Sequence, residues 1–501
     1  MRRVHERDNN RMLSWVNGSD IQPPRACDRC HAVKERCEWI PNVKQCERCL
    51  RLQHVCETVR PKGRPGRKPG VRGKRVSPVV RPARPARRIS SGSIEDDCLS
   101  SSLWAGHRMQ RNGRIAMVPR SVPGLEFGDL LTDEQHLVRR FLFHSRVLDV
   151  FSVNTSFGET ARRQVIPQML LSRATFLDGL LACAISWVGD IDSDQTNPSH
   201  LAACYRHASS AIAMLTSLQV ENFDTMIDCL MLGALVSTFA VRLRLYDIQA
   251  ICRRTLGLIE PIYTVSDPAR PELRVFLTCL IFWEIRASIF SCAIPTLRFR
   301  PPPEPYADRH VGFCGTLLPL FYDICKVGHG VAHCETDNAI NLKELDAIEQ
   351  SCCQWQPIVP EDLNTRFSAV ELAHMICQAQ TMRAAALLVI HRLKYPFGVN
   401  DGPAQVLSTS ILSQIEMTFN VTKQPVRCTD LPLLVACIEL KEEAGRQKWF
   451  SNIATFAGFS PQFREHLRKA LRSYWVAIDT SDKISWDKLV TSSFPFLRKT
   501  S

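Results

Sequence analysis

The chain has 501 residues, more than one ordinary domain, and its 45% hydrophobic residues are enough to bury a sizeable core. No stretch approaches about 18 consecutive apolar residues, and the start Met1-Arg2-Arg3-Val4-His5-Glu6-Arg7-Asp8 has no apolar run of the secretory kind. Both features argue against an extracellular or membrane-spanning protein. The net charge of +13 is uneven: residues 1–90 carry +15 and residues 91–501 carry −2, so a polyanion partner is expected for the first fifth alone.

Residues 1–24 read as a disordered start, followed by a small metal domain over 25–58. Six of the 21 cysteines fall in that domain, at Cys27, Cys30, Cys37, Cys46, Cys49 and Cys56. Their spacing is C-x2-C-x6-C-x8-C-x2-C-x6-C. A two-residue gap lets both thiolates of a pair reach one metal across a tight turn. Tetrahedral thiolate sites select zinc. Six thiolates serve two four-coordinate ions only if two of them bridge, so two zinc ions per chain are expected. The stretches His31–Arg36 and Leu50–Val55 suit one or two helical turns, and Glu38–Gln45, with Pro41 and Asn42, reads as the connecting loop. Such a unit has almost no apolar core, so the metal is expected to supply its folding energy. The other fifteen cysteines sit mostly among apolar residues and read as small core side chains. An odd total without a secretory signal argues against a disulfide framework.

The spacing, with Ala26-Cys27-Asp28-Arg29-Cys30 and Val33-Lys34-Glu35-Arg36-Cys37, resembles the fungal Zn2Cys6 binuclear cluster family. The resemblance implies that Cys27 and Cys46 bridge the two ions. It also implies that a short helix after the second cysteine enters the DNA major groove, where Lys34 reads a CGG-type triplet through guanine O6 and N7. Arg29, Arg36, Lys44, Arg48 and Arg51 are then expected on phosphates. The chain departs from the family pattern at His31 and Val33, where basic residues are usual, and Glu35 sits beside Lys34.

Residues 59–127 read as a disordered linker. Between 60 and 88 there are twelve Arg or Lys and no acid, broken by proline and glycine. Gly63-Arg64-Pro65 and Gly66-Arg67-Lys68-Pro69 resemble relaxed AT-hook elements, which implies that Arg64, Arg67 and Lys68 contact DNA through the minor groove. A polybasic run of this kind also serves nuclear import. No heptad follows the cysteine block, so any homo-oligomer is expected to form without a coiled coil.

From about residue 128 the pattern turns helical, giving one large all-helical domain over 128–501. Thr132-Asp133-Glu134-Gln135 reads as a capping box, with Leu137, Phe141, Leu142, Val147, Leu148 and Phe151 at helical spacing. Further helices are expected near 168–187, 200–217, 224–242, 271–290, 362–394, 405–419, 430–457 and 462–478. The segment 224–242 is apolar all round and belongs at the centre. The run Pro301-Pro302-Pro303 and the segment 326–340 read as loops. Leu201-Ala202-Ala203-Cys204-Tyr205-Arg206-His207-Ala208, Arg383-Ala384-Ala385-Ala386-Leu387-Leu388 and Leu431-Pro432-Leu433-Leu434-Val435-Ala436-Cys437-Ile438-Glu439, then Arg446 and Trp475, resemble the second variant of the fungal-specific transcription factor regulatory domain. The resemblance implies a helical body that tunes DNA binding and transcription.

No phosphate-binding glycine loop, nucleophile elbow or zinc-protease helix is present, so an enzyme is not expected. Trp283-Glu284 with Arg286 reads as a partly buried structural ion pair or cap. His136, His144 and His207 read as helix residues rather than ligands. The expectation is a nuclear, sequence-specific regulator of RNA polymerase II transcription whose partners are double-stranded DNA and the transcription machinery or its co-regulators. The alternative is a nuclear scaffold or inhibitory partner whose zinc cluster makes protein contacts.

Overall fold

A computed structural model describes residues 26–34, 37, 46–52, 54, 56–58, 130, 132–143, 152–158, 172–192, 198–243, 248–266, 271–333, 338–457 and 460–493. They fall into two compact units, one within Met1–Arg108 and one within Met109–Ser501.

The first unit has two short helices, α1 (Asp28–Ala32) and α2 (Glu47–Arg51). Among its described residues the buried hydrophobic cluster consists of Cys27, Cys30, Cys46 and Cys49, with Cys37 and Cys56 packed on it. Among the described residues no aliphatic side chain belongs to this cluster.

The second unit is helical, and among the described residues its only β pairing is two isolated bridges, Asp308 with Gly312 and Phe397 with Ile484. In chain order the helices are α3 (Thr132–Phe143), α4 (Arg173–Asp192), α5 (Pro198–Ser217), α6 (Phe223–Leu243), α7 (Ile248–Val265) and α8 (Pro271–Ser291). They continue as α9 (Leu318–His333), α10 (Asn338–Gln354), the single turn α11 (Leu363–Arg366), α12 (Ala369–Lys394), α13 (Asp401–Thr422) and α14 (Asp430–Ile438). The last three are α15 (Glu443–Phe456), α16 (Pro461–Asp479) and α17 (Trp486–Ser493).

α6 lies at the centre, as its apolar surface requires, and packs on α4, α5, α7 and α8. By length and composition it is apolar enough to cross a membrane, but 78% of that stretch is buried against the rest of the unit. Gly233 allows α6 and α7 to approach closely, since a Cβ there would lie 2.4 Å from the Thr255 side chain. α14 buries all nine of its residues among its neighbours, chiefly α12, α13 and α16. α12 starts with a capping box in which Ser368 and Glu371 exchange hydrogen bonds with each other's backbone N–H.

Several expectations change here. The segment 326–340 is not a loop where it is described: α9 runs on to His333 and α10 begins at Asn338. Gly328 lies inside α9, where a Cβ would make only an ordinary contact with Leu393 of α12, and the helix is held by packing on α8, α10 and α12. The single helix expected over 362–394 is broken at Phe367 and Ser368, where Ser368 caps α12. The one expected over 430–457 is broken between Ile438 and Glu443. Thr132 is not a cap but the first residue of α3, and Gln135 Nε2 instead donates to the Leu130 carbonyl at 3.0 Å. α7, α10 and α17, and α9 up to Lys326, had no counterpart in the sequence reading. Pro261 inside α7 and the polar surface of α10 hid the first two. His144, Val147, Leu148 and Phe151 lie outside the described residues.

Candidate metal centre and nucleic-acid interface

Each short helix of the first unit begins directly after a cysteine, and this places the thiols. Cys46 is the N-cap of α2, and its Sγ accepts the Cys49 N–H at 3.4 Å. Nineteen residues earlier Cys27 does the same for the Cys30 N–H, also at 3.4 Å. The Cys27 N–H donates to Cys37 Sγ at 3.3 Å, and the Cys46 N–H donates to Cys56 Sγ at 3.3 Å. The first helical bonds match as well: His31 N–H to the Cys27 carbonyl and Leu50 N–H to the Cys46 carbonyl, both 2.9 Å. The domain is therefore one hydrogen-bonded frame used twice, Cys27-Cys30-Cys37 and Cys46-Cys49-Cys56.

The two halves meet at their sulfurs. Cys27 Sγ lies 3.9 Å from Cys46 Sγ and 3.7 Å from Cys49 Sγ, and Cys30 Sγ lies 3.7 Å from Cys46 Sγ. The sulfurs of Cys27, Cys30, Cys46 and Cys49 all lie within 4.8 Å of one another. Tetrahedral zinc with Zn–S bonds of about 2.3 Å separates its sulfurs by about 3.8 Å, so these four thiols fit a metal ion. The separations are far too long for a disulfide, and the six cysteines are free.

The thiols are not equivalent. Burial would push the Cys46 thiol up, but the Cys49 N–H and the neighbouring thiols bring it down to about 6. Burial likewise opposes a lowering of the Cys27 thiol, which the Cys30 N–H and the Cys30 and Cys49 thiols produce. Burial pushes Cys37 up to about 12 and raises Cys30, Cys49 and Cys56. The two thiols with lowered values are those at the start of each half, where they touch both halves of the cluster.

Of the residues expected on DNA, Lys34, Arg48 and Arg51 are described with their side chains. α1 ends at Ala32, so Lys34 lies past the helix rather than on it. It is exposed, in the left-handed region at φ 55°, and its N–H donates to the His31 carbonyl at 3.2 Å. Arg51 is exposed in the last turn of α2. Arg48 is half-buried, and its side chain lies against the Cys30 thiol, opposing the rise that burial causes there. Arg29 is on α1, but its side chain lies outside the described set, as do Arg36, Lys44, Arg64, Arg67 and Lys68. The contact of Arg48 with sulfur was not read from the sequence. The nineteen-residue repeat, which aligns Arg48 with Arg29, was the available signal. Val33, Leu50 and Leu52 are exposed apolar side chains beside the cluster, at 50%, 46% and 42%.

In the helical unit the Trp283-Glu284 and Arg286 group is structural, but not as one pair. Glu284 is fully buried and accepts from the Thr296 N–H at 2.9 Å and the Thr296 hydroxyl at 2.7 Å. Burial raises its carboxyl. Arg286 pairs with Asp430 and lies between the rings of Trp283 and Phe463, 4.0 and 5.0 Å from their centroids. Burial lowers its guanidinium to about 9. His136 is exposed on α3, and His207 joins α5 to Asp178 of α4 at 2.7 Å.

Residues 141–496 match the fungal specific transcription factor domain. No curated protein and no solved structure gives a match to the chain.

Proposed function

The chain belongs to the family of the fungal specific transcription factor domain, a regulatory and non-catalytic helical domain, and it acts in the nucleus; from this premise we propose that it is a sequence-specific DNA-binding regulator of RNA polymerase II transcription. The observation that carries the reading is the doubled cysteine frame, which brings four thiols to metal-ligand separation next to an exposed lysine.

In this reading residues 25–58 hold two zinc ions through Cys27, Cys30, Cys37, Cys46, Cys49 and Cys56. Cys27 and Cys46 bridge, which is supported by their being the two thiols that each touch two others, Cys27 with Cys46 and Cys49, and Cys46 with Cys27 and Cys30. The ions supply cross-links to a unit whose buried cluster, among the described residues, is made of cysteines. Lys34 donates to guanine O6 and N7 of a CGG-type site. Arg29, Arg36, Lys44, Arg48 and Arg51 offset the thiolate charge or meet phosphates, Arg48 being turned toward Cys30. The basic segment within 59–127 adds grip through Arg64, Arg67 and Lys68. The helical body at 128–501 recruits or restrains the transcription machinery, and any self-association comes from it rather than from a coiled coil.

The test joins metal content to binding. Full-length protein is expected to carry two zinc ions per chain and to shift a CGG-containing duplex. Lys34→Ala should keep both ions and lose about 1–3 kcal/mol of specific affinity. One ion per chain would refute the binuclear assignment, and equal affinity of wild type and Lys34→Ala would refute the role of Lys34. The exposed Val33, Leu50 and Leu52 favour the second reading, a scaffold whose cluster binds protein. Wild-type protein that carries zinc but shows no preference for any duplex would select it.

A further inference from the structure

α16 carries arginine at every fourth position, Arg464, Arg468 and Arg472, a row about 12 Å long at 1.5 Å per residue. All three guanidinium groups lean on the C-terminal half of α15. Arg464 Nη1 donates to the Ala454 carbonyl at 3.4 Å, and Arg468 Nε donates to the Phe450 carbonyl at 3.3 Å. Arg472 and Arg468 lie 4.4 and 5.5 Å from the centroid of the Phe450 ring. The long side chains are thus held in place before any partner arrives, which lowers the entropy lost on binding.

The charge of the row is poorly offset. Among the described residues its one ion pair is Arg468 with Glu465, at 4.0 Å. Burial and the Arg468 charge both lower the Arg464 guanidinium. Like charges one helical turn apart repel. The α15 carbonyls explain part of the arrangement for Arg464 and Arg468, but Arg472 is exposed and has only the Phe450 ring. One further turn along the same face stands Val476, 61% exposed. Phe450 is half-buried beneath the guanidinium groups.

We propose that this face of α15 and α16 docks a short acidic, amphipathic peptide segment of a partner protein. Its carboxylates would take the forks of Arg468 and Arg472, and an apolar side chain would cover Val476 and the edge of Phe450. Planar forks held at fixed spacing suit bidentate carboxylates. Duplex DNA suits the face less well. Three cations are few for a phosphate backbone, the exposed valine has no role there, and residues 91–501 carry a net charge of −2.

The probe is a fluorescein-labelled peptide in which Asp and Glu alternate with Leu and Phe. The controls are the same peptide with Asn and Gln in place of the acids, and a duplex without CGG. Fluorescence anisotropy with the full-length protein is expected to show binding of the acidic peptide that weakens with salt. The neutral peptide should bind at least tenfold more weakly. Arg472→Glu, at an exposed position, should weaken peptide binding about tenfold, and Val476→Ser a few-fold, with the urea midpoint unchanged. Arg468→Lys with Arg472→Lys keeps the charge but loses the forks, and should recover only part of the affinity. The proposal is overturned if Arg472→Glu leaves peptide affinity intact, if the neutral peptide binds as well as the acidic one, or if Arg472→Glu weakens the duplex but not the peptide.

Discussion

The buried pair of Arg392 and Glu439 gives the sharpest test of how the helical body holds together. Arg392 closes α12, and Glu439 follows α14, where the chain leaves the helix. Their side chains are 1% and 2% exposed and meet in a two-point fork, Nε to Oε1 at 2.7 Å and Nη2 to Oε2 at 2.6 Å. Asp401 at the start of α13 joins at 2.9 Å, and the Phe397 ring centroid lies 4.2 Å from the guanidinium. Burial alone would lower the Arg392 guanidinium, but Glu439 and Asp401 raise it. Arg392→Met strands a carboxylate in the interior, and breaking such a pair from one side costs about 3–5 kcal/mol. Glu439→Gln leaves Arg392 with Asp401 and should cost less, about 1.5–3 kcal/mol for charged hydrogen bonds lost. Arg392→Met with Glu439→Leu removes both charges and should be more stable than Arg392→Met alone. Urea unfolding followed by circular dichroism measures all three. A cost below about 1 kcal/mol for Arg392→Met, or a double variant no more stable than the single one, would refute the reasoning.

Other consequences follow from particular contacts. Arg300 closes α7 by donating to the carbonyls of Tyr263, Thr264 and Ser266, so Arg300→Met should cost about 2 kcal/mol in a urea melt, with Arg300→Lys recovering only part. Gly233→Ala drives a methyl into Thr255 and should cost about 1–3 kcal/mol; a stability equal to wild type would show that α6 and α7 can separate freely. Burial would raise Glu371, but bonds from Ser156 and Ser368 lower it below its ordinary value. Its contribution is therefore complete above the unfolded value of about 4.3 and is lost as pH falls through the folded one. The urea midpoint of Glu371→Gln should accordingly fall less between pH 5 and pH 3 than that of wild type. Arg51→Gln should reduce the salt slope of DNA binding by about 1, while Arg48→Gln, whose side chain faces Cys30, should change the slope less.

The clustering of Cys27, Cys30, Cys46 and Cys49 was legible because the geometry of a metal-ligand pair is local. A two-residue gap fixes a turn, and a turn fixes two thiols, whatever the rest of the chain does. The large helices were legible for a similar reason: α4, α5, α6 and α8 show their apolar surface within their own windows. Lys34 could be chosen as a reader from its place in the motif, but not its position beyond α1, which follows from the His31 carbonyl capping that short helix.

The rest depended on packing between distant segments. The segment read as a loop from residue 326 is helical to His333 because α9 packs on α8, α10 and α12, all distant in the chain or beyond its own window. Nothing near Glu284 in sequence pointed to Thr296 as its partner, and nothing near Arg286 pointed to Asp430. The break after α14 falls where Glu439 turns inward to Arg392, 47 residues earlier in the chain. The arginine row of α16 could be counted in the sequence, but its preorganisation came from the Phe450 ring and carbonyl of another helix. Periodicity and ligand spacing are properties of a short window of chain. Burial, ion pairing and close approach are set by which helices meet, and only the tertiary structure decided that.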